Sequence, residues 1–232
     1  DLAKRKLTTI NQIYRYAVVH DLAERNPASD IRPSDILPQT KKKNHARVGL
    51  KDLPKLLADI DAYWDEFNGG ALTRLALKLM AHTFVRTKEL ISARWEEFDE
   101  VYWRIPAERM KMRSEHIVPL SRQGKALLAE LRLLTGESEF LLPGKKDNLT
   151  MSNNTVLFAL YRMGYRSRMT GHGFRGLAST LLHEQGWPHE HIELQLAHME
   201  RDEVSAAYNH ALYLEQRGVM MQAWSDFIDK TR

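Results

Sequence analysis

Apolar positions recur at helical spacing along most of the chain, with one short region of different texture. Residues 3–24 predict a helix, and a new helical pattern begins near Leu50. Leu72, Leu75, Ala76, Leu79 and Met80 fall at i, i+3, i+4, i+7 and i+8, which puts them on one face of a helix. Trp95–Phe98, Tyr102–Ile105 and His116–Leu120 are instead short aromatic or β-branched runs, separated by Asp99-Glu100 and by the polar stretch Ala107 to Glu115. That texture predicts a small three-stranded antiparallel sheet. Ser121 then suits the N-cap of a helix carrying Leu127, Leu128, Leu131 and Leu134. From Ser152 onward the pattern predicts helices over 152–163, 174–185, 188–196, 203–208 and 212–229, with Gly186 and Pro188 punctuating two of them. The expected fold class is mainly α with one small three-stranded antiparallel sheet (α+β).

Between the first helix and Leu50 the segment NPASDIRPSDILPQ supplies three prolines among polar turn residues, and KKKNHAR extends it. This is a linker signature, so a domain boundary is expected near residues 35–46, with pieces 1–40 and 41–232. The first piece is too short to hold a core of its own and reads as the end of a truncated helical domain. The chain does not begin with Met, and its start lacks the apolar core of a signal peptide. Its most apolar segment, Ala71 to Val85, is broken by Arg74, Lys78 and His82, short of the roughly 18 apolar residues that span a membrane. At 232 residues, 43% hydrophobic and 28% charged, the composition is that of a globular protein with a real core.

The absence of cysteine removes disulfides, thiolate metal sites and cysteine nucleophiles together. A net charge of +4 leans mildly toward polyanionic partners, and the distribution says more than the total. Between Val101 and Lys125 six basic residues face two acids, and further clusters lie at 41–47, at Lys145-Lys146 and at Arg162, Arg166 and Arg168. Each cluster alone fits a solvated face; together they favour nucleic acid.

Candidate chemistry is dispersed. His172 stands at the start of a helix whose stripe is Phe174, Leu177, Ala178, Leu181 and Leu182, with Arg175 at the stripe's edge. Basic groups at a helix N-terminus suit a phosphate, although a capping histidine and an arginine lying along apolar surface would look the same. Arg86 precedes a helix start, Lys111 sits in the loop between the second and third predicted strands, and His198 precedes Tyr208 by ten positions. His183-Glu184 is followed at 187 by Trp, which breaks the His-Glu-x-x-His zinc pattern, and His189-Glu190-His191 has no evident third ligand. No phosphate-binding glycine loop is present.

Taken in order, Arg86, Lys111, His172-x-x-Arg175, His198 and Tyr208 resemble the tyrosine recombinase (phage integrase) family, most closely the integrases of satellite prophages and genomic islands. The stretches that carry the resemblance are TFVRTKEL, RMKMRSEHIVPLS, TGHGFRGLASTLLHEQGW and LAHMERDEVSAAYNHALYLEQR. It extends over essentially the whole chain, with residues 1–36 similar to the closing helices of the family's core-binding domain. The front of that domain and any arm-site-binding domain are expected to lie outside this sequence. Thr87 stands where proline is common in the family, and Ala197 where glycine is common.

The resemblance implies site-specific DNA recombination, for prophage or island integration and excision, through a 3′-phosphotyrosyl intermediate. Arg86 and Arg175 would bind the phosphate, with His198 supporting them. Tyr208 would attack, His172 would act as general base, and Lys111 would protonate the leaving 5′ oxygen. No cofactor or metal is implied. The implied partners are double-stranded attachment-site DNA, other copies in a synaptic tetramer, an excisionase and DNA-bending accessory proteins, in the bacterial cytoplasm and away from membranes. The alternatives are a catalytically silent DNA-binding relative, a host chromosome-dimer resolvase, or a type IB topoisomerase-like enzyme. The amphipathic helix over 212–229 would either close its own domain or dock on a neighbouring subunit.

Overall fold

A computed structural model of the chain describes residues 2–36, 46–111, 113–144, 149–198 and 213–232. Contacts divide it into two units, Asp1–Asn44 and His45–Arg232. The predicted helix over 203–208, and Tyr208 with it, lie outside the described residues.

The first unit carries α1 (Leu2–Val19), which buries none of its residues and leaves Ile10, Ile13 and Val19 exposed. A 3-10 turn at Pro27–Asp30 follows. The Asn26 side chain caps it by accepting from the Ala28 N–H at 3.0 Å, and Pro27 supplies a preset φ where no N–H is needed. A short α2 (Pro33–Ile36) ends the described part of this unit.

The second unit is built around α4 (Ala71–Thr83), which α3 (Leu53–Asp61), α6 (Arg122–Thr135) and α7 (Thr155–Arg162) pack against. The expected stripe is its buried face: Leu75, Ala76, Leu79 and Met80 are sealed, with Leu72 at the margin. Burial of each leucine contributes about 2 kcal/mol. In α6, Ser121 Oγ accepts from the Gly124 N–H at 3.1 Å; Leu127, Leu128 and Leu131 face inward while Leu134 stays exposed. The other elements are α5 (Thr87–Ile91), α8 (Gly171–Glu184) and α9 (His189–Gln195). Gly186, with φ of 82°, turns the chain out of α8 in a conformation that glycine adopts without strain.

The sheet corrects the expectation of three strands. Among the described residues the sheet has two strands, β1 (Tyr102–Ile105) and β2 (His116–Pro119), paired antiparallel with Arg104 opposite Ile117. Trp95–Glu97 is a 3-10 turn, and Phe98 meets Trp103 in an isolated bridge. The reason is local. Glu97 is turned inward, where its carboxylate accepts from Trp103 Nε1 at 2.9 Å and pairs with Arg109. Asp99 Oδ1 then accepts from the Val101 and Tyr102 N–H groups, reversing the chain at once. Curling Glu97 inward leaves no extended run to pair.

The C-terminal helix, α10 (Leu214–Thr231), packs on α3, α4, α6, α9 and β2 of its own chain. Trp224 is buried edge-on to Phe84 and donates Nε1–H to the Ala81 carbonyl at 2.9 Å, while Ser225 and Ser121 hydroxyls meet at 2.7 Å. In a single copy of the chain, the described helix packs on its own domain.

Candidate active site

Three of the six candidate residues come together where helix ends meet. Arg86 is the N-cap of α5, and Glu89, three residues on, grips it twice. Glu89 Oε2 accepts from the Arg86 N–H at 2.8 Å, and Oε1 accepts from Nη1 at 2.6 Å. Arg86 Nη2 also donates to the Ala197 carbonyl at 3.1 Å. Arg175, one turn into α8, is 2% exposed. Its fork donates from Nη1 to the Phe84 carbonyl at 3.0 Å and from Nη2 to the Leu196 carbonyl at 2.5 Å. His198 Nε2 lies 3.4 Å from Arg175 Nη2, while Nδ1 faces Glu193 Oε2 at 2.9 Å. A proton on Nδ1, donated to Glu193, leaves Nε2 directed at the arginine.

Each arginine is held by one carbonyl from strained backbone. Phe84 ends α4 with φ of 39°, and Ala197 follows α9 with φ of 49°, both left-handed and both non-glycine. Such residues cost about 1–2 kcal/mol each and persist where the surroundings over-determine them. Here the Phe84 turn aims its carbonyl at Arg175 two residues before Arg86 appears. The Ala197 turn aims its carbonyl at Arg86 one residue before His198. A glycine at position 197 would adopt this left-handed backbone without strain.

His172 is exposed, the second residue of α8 and one turn before Arg175. Thr170 Oγ1 caps α8 by accepting from the Gly173 N–H at 3.0 Å, so the helix starts at Gly171 rather than at the predicted 174. The glycines allow close approach: a Cβ on Gly171 would collide with Thr87 Oγ1, and one on Gly173 with the Ala46 carbonyl. The starts of α5 and α8, bearing Arg86 and His172, are thereby brought side by side. Lys111 is exposed on the β1–β2 connection and takes no part in the hydrogen bonds joining Arg86, Arg175 and His198. Two residues before it, Arg109 anchors that connection to α5 by donating to the Glu89 carbonyl at 2.5 Å and to Ser92 Oγ at 3.1 Å.

The site is less purely cationic than a string of basic candidates suggests. Burial, and then the neighbouring Arg86 charge, push Arg175 down to about 10, while Glu89 and Glu193 act the other way. The guanidinium stays protonated at neutral pH. Arg175 Nε is buried without a hydrogen-bond partner. Glu89 and Glu193 are the participants that sequence reasoning passed over, because an acid counts against a phosphate site. Their signal was spacing: Glu89 at the third position after an N-cap, and Glu193 within the helix leading to His198. Among the described residues, no group of three or more His, Asp or Glu is placed to hold a metal ion, and no helix is long and apolar enough to cross a membrane.

Comparison with known proteins places the chain among its relatives. Residues 48–215 match the phage integrase family. The integrase of Enterobacteria phage P4 is 43% identical over 251 aligned residues, covering 100% of this chain and 56% of that protein. The integrase of Shigella phage Sf6 is 37% identical, covering 94% and 56%. The chain thus spans little more than half the length of these curated relatives. Among solved structures, a lambda integrase dimer bound to a COC′ core site has a TM-score of 0.61 at 16% identity, covering 88% of this chain and 57% of that one. A lambda integrase tetramer bound to a Holliday junction gives 0.62 at 16%, covering 85% and 58%. These structures share the fold, mainly helical with a small antiparallel sheet. The family match spans more than half of the sequence and encloses Arg86, Arg175 and His198, so this chain belongs to the phage integrase family.

Proposed function

We propose that the chain catalyses site-specific DNA recombination, cutting and rejoining strands through a 3′-phosphotyrosyl intermediate on Tyr208, in prophage or island integration and excision. The observation that carries this reading is the convergence of Arg86, Arg175 and His198, held by carbonyls at two strained helix ends. A phosphodiester gains negative charge on its nonbridging oxygens as it is attacked, so catalysis rests on positioned cations and hydrogen-bond donors. Arginines fixed in advance, Arg175 by two carbonyls and Arg86 by Glu89 and the Ala197 carbonyl, meet that need without reorganising during the reaction.

In the proposed step Tyr208 Oη bonds to phosphorus and passes its proton to His172. The bond from phosphorus to the 5′ oxygen breaks, and Lys111 protonates that oxygen. A 5′-hydroxyl from a partner strand then attacks the phosphotyrosine, and Tyr208 leaves as it recovers a proton. Bond energy is conserved, so the chemistry needs no nucleotide or metal. The first unit would be the end of a core-binding domain. Attachment-site duplex and further copies of the chain, four in a synapse, would be the partners, with an excisionase and DNA-bending proteins beside them in the bacterial cytoplasm.

The test is incubation with a nicked duplex built from the sequences at the ends of the genetic element that encodes the chain. Denaturing electrophoresis should reveal protein covalently joined to DNA, and Tyr208→Phe should abolish that band. A silent DNA-binding relative would shift the duplex and give no covalent band.

A further inference from the structure

Arg217, near the start of α10, is fully buried, and among the described residues none of its hydrogen-bond partners is acidic. Its Nη2 donates to the Ile117 carbonyl at 2.6 Å and to Gln195 Oε1 at 2.7 Å, while Nε and Nη1 have no partner. Gln195 is itself fully buried, and its Nε2 is also unpartnered. Burial lowers the Arg217 pKa to about 10, which leaves it charged at neutral pH. A buried cation with two neutral acceptors is a costly way to fill space, and a leucine or methionine would do so more cheaply. What an apolar residue cannot do is bond two elements from one planar fork.

The two elements lead to the site. Gln195 is the last residue of α9, and the next two carbonyls, of Leu196 and Ala197, hold Arg175 and Arg86, followed directly by His198. Ile117 lies on β2, six residues after Lys111 on the same hairpin. In sequence, Gln195 and Arg217 also bracket the stretch that contains Tyr208.

We propose that Arg217 is a positioning residue for strand cleavage, clasping Gln195 to Ile117 so that the Leu196–Ala197 carbonyls carrying the arginines stay in register with the hairpin carrying Lys111. The inference rests on the recombinase reading above. Arg217 touches neither DNA nor reacting atoms; it acts through the Gln195 and Ile117 contacts. Without it, α9 and β2 would lose the guanidinium bridge between them. The arginine cluster and the general acid would then shift relative to each other by about 1 Å.

The experiment compares the parent chain with Arg217→Met, Arg217→Lys and the double variant Gln195→Leu/Arg217→Met on the nicked duplex described above. Three quantities are read: single-turnover rate of covalent adduct at saturating protein, duplex affinity by gel shift, and thermal unfolding. Misplacement on this scale predicts adduct formation about 100-fold slower in Arg217→Met, with affinity changed by no more than about threefold. Arg217→Lys, which keeps a donor, should recover part of the rate. If Arg217→Met is too unstable to assay, the double variant decides, because replacing both buried polar partners by apolar groups restores stability. Positioning predicts that it is stable and still slow. A folded Arg217→Met that cleaves at the parental rate, or a double variant whose rate returns with its stability, overturns the proposal. A Tyr208→Phe control keeps the two ideas apart. An adduct in that lane sinks the recombinase reading whatever the Arg217 variants do, whereas its absence beside a parental band leaves Arg217 alone on trial.

Discussion

At the residue scale, the arginine–histidine cluster depends on backbone oxygens as much as on its own side chains. Ala197 is the clearest case, since its left-handed φ of 49° is what lets its carbonyl reach Arg86. Ala197→Gly should relieve that strain and raise stability by about 1 kcal/mol, read from denaturant unfolding, with the adduct rate unchanged. A loss of stability would mean the turn is not strained. Lys111 makes a different prediction. If it protonates the leaving oxygen, Lys111→Ala should be slow on an ordinary duplex and recover on one with a 5′-bridging sulfur, a leaving group that needs no proton. Equal slowness on both duplexes would remove it from that role. The convergence of Arg86, Arg175 and His198 could be anticipated from residue order, but the acids and carbonyls that hold those three could not. Glu89, 4% exposed, resembles an ordinary helix-start acid in the sequence, and nothing in the letters at Phe84, Leu196 or Ala197 announces an acceptor.

At the scale of elements, α10 packs against the end of α4 whose Phe84 carbonyl holds Arg175. His82 on α4 is buried where Asp61, Lys78, Asp229 and Arg232 gather, and its Nδ1 has no partner. Burial pushes its pKa down to about 4, with the nearby acids only partly offsetting this. The folded state thus holds His82 neutral, whereas the unfolded chain binds a proton near pH 6.5. Its share of stability is complete above pH 6.5 and is lost as pH falls from there toward 4, a loss of about 3 kcal/mol. Unfolding measured across that window should fall more steeply in the parent than in His82→Gln, and parallel curves would contradict the assignment. Elements with a one-faced stripe, such as α4 and α6, were legible because burial follows helical period directly. The Trp95–Phe98 strand was misread because its aromatics do face the core. What the period could not disclose is that Glu97 turns inward to meet Trp103 and Arg109, which ends any strand there. The α8 start was placed late because Gly171 and Gly173 look like loop residues. In the fold they are the points where Thr87 and Ala46 approach the helix.

At the scale of the whole molecule, the chain sets its arginine–histidine cluster in a family whose relatives are about twice its length. Binding to duplex should be dominated by phosphate contacts, so affinity should fall by about three orders of magnitude between 50 and 200 mM salt. A nearly flat salt dependence would argue against a basic DNA-facing surface. The central claim is narrower: the cluster exists to serve one tyrosine. The most direct measurement is to form the covalent adduct on the nicked duplex, digest it with trypsin and locate the DNA by mass spectrometry. The peptide Asp202–Arg217 contains Tyr208 and Tyr213, so fragmentation distinguishes them. The DNA should be found on Tyr208, joined through its 3′ phosphate. An adduct on Tyr213 or any other residue, a 5′ linkage, or no adduct would contradict the account.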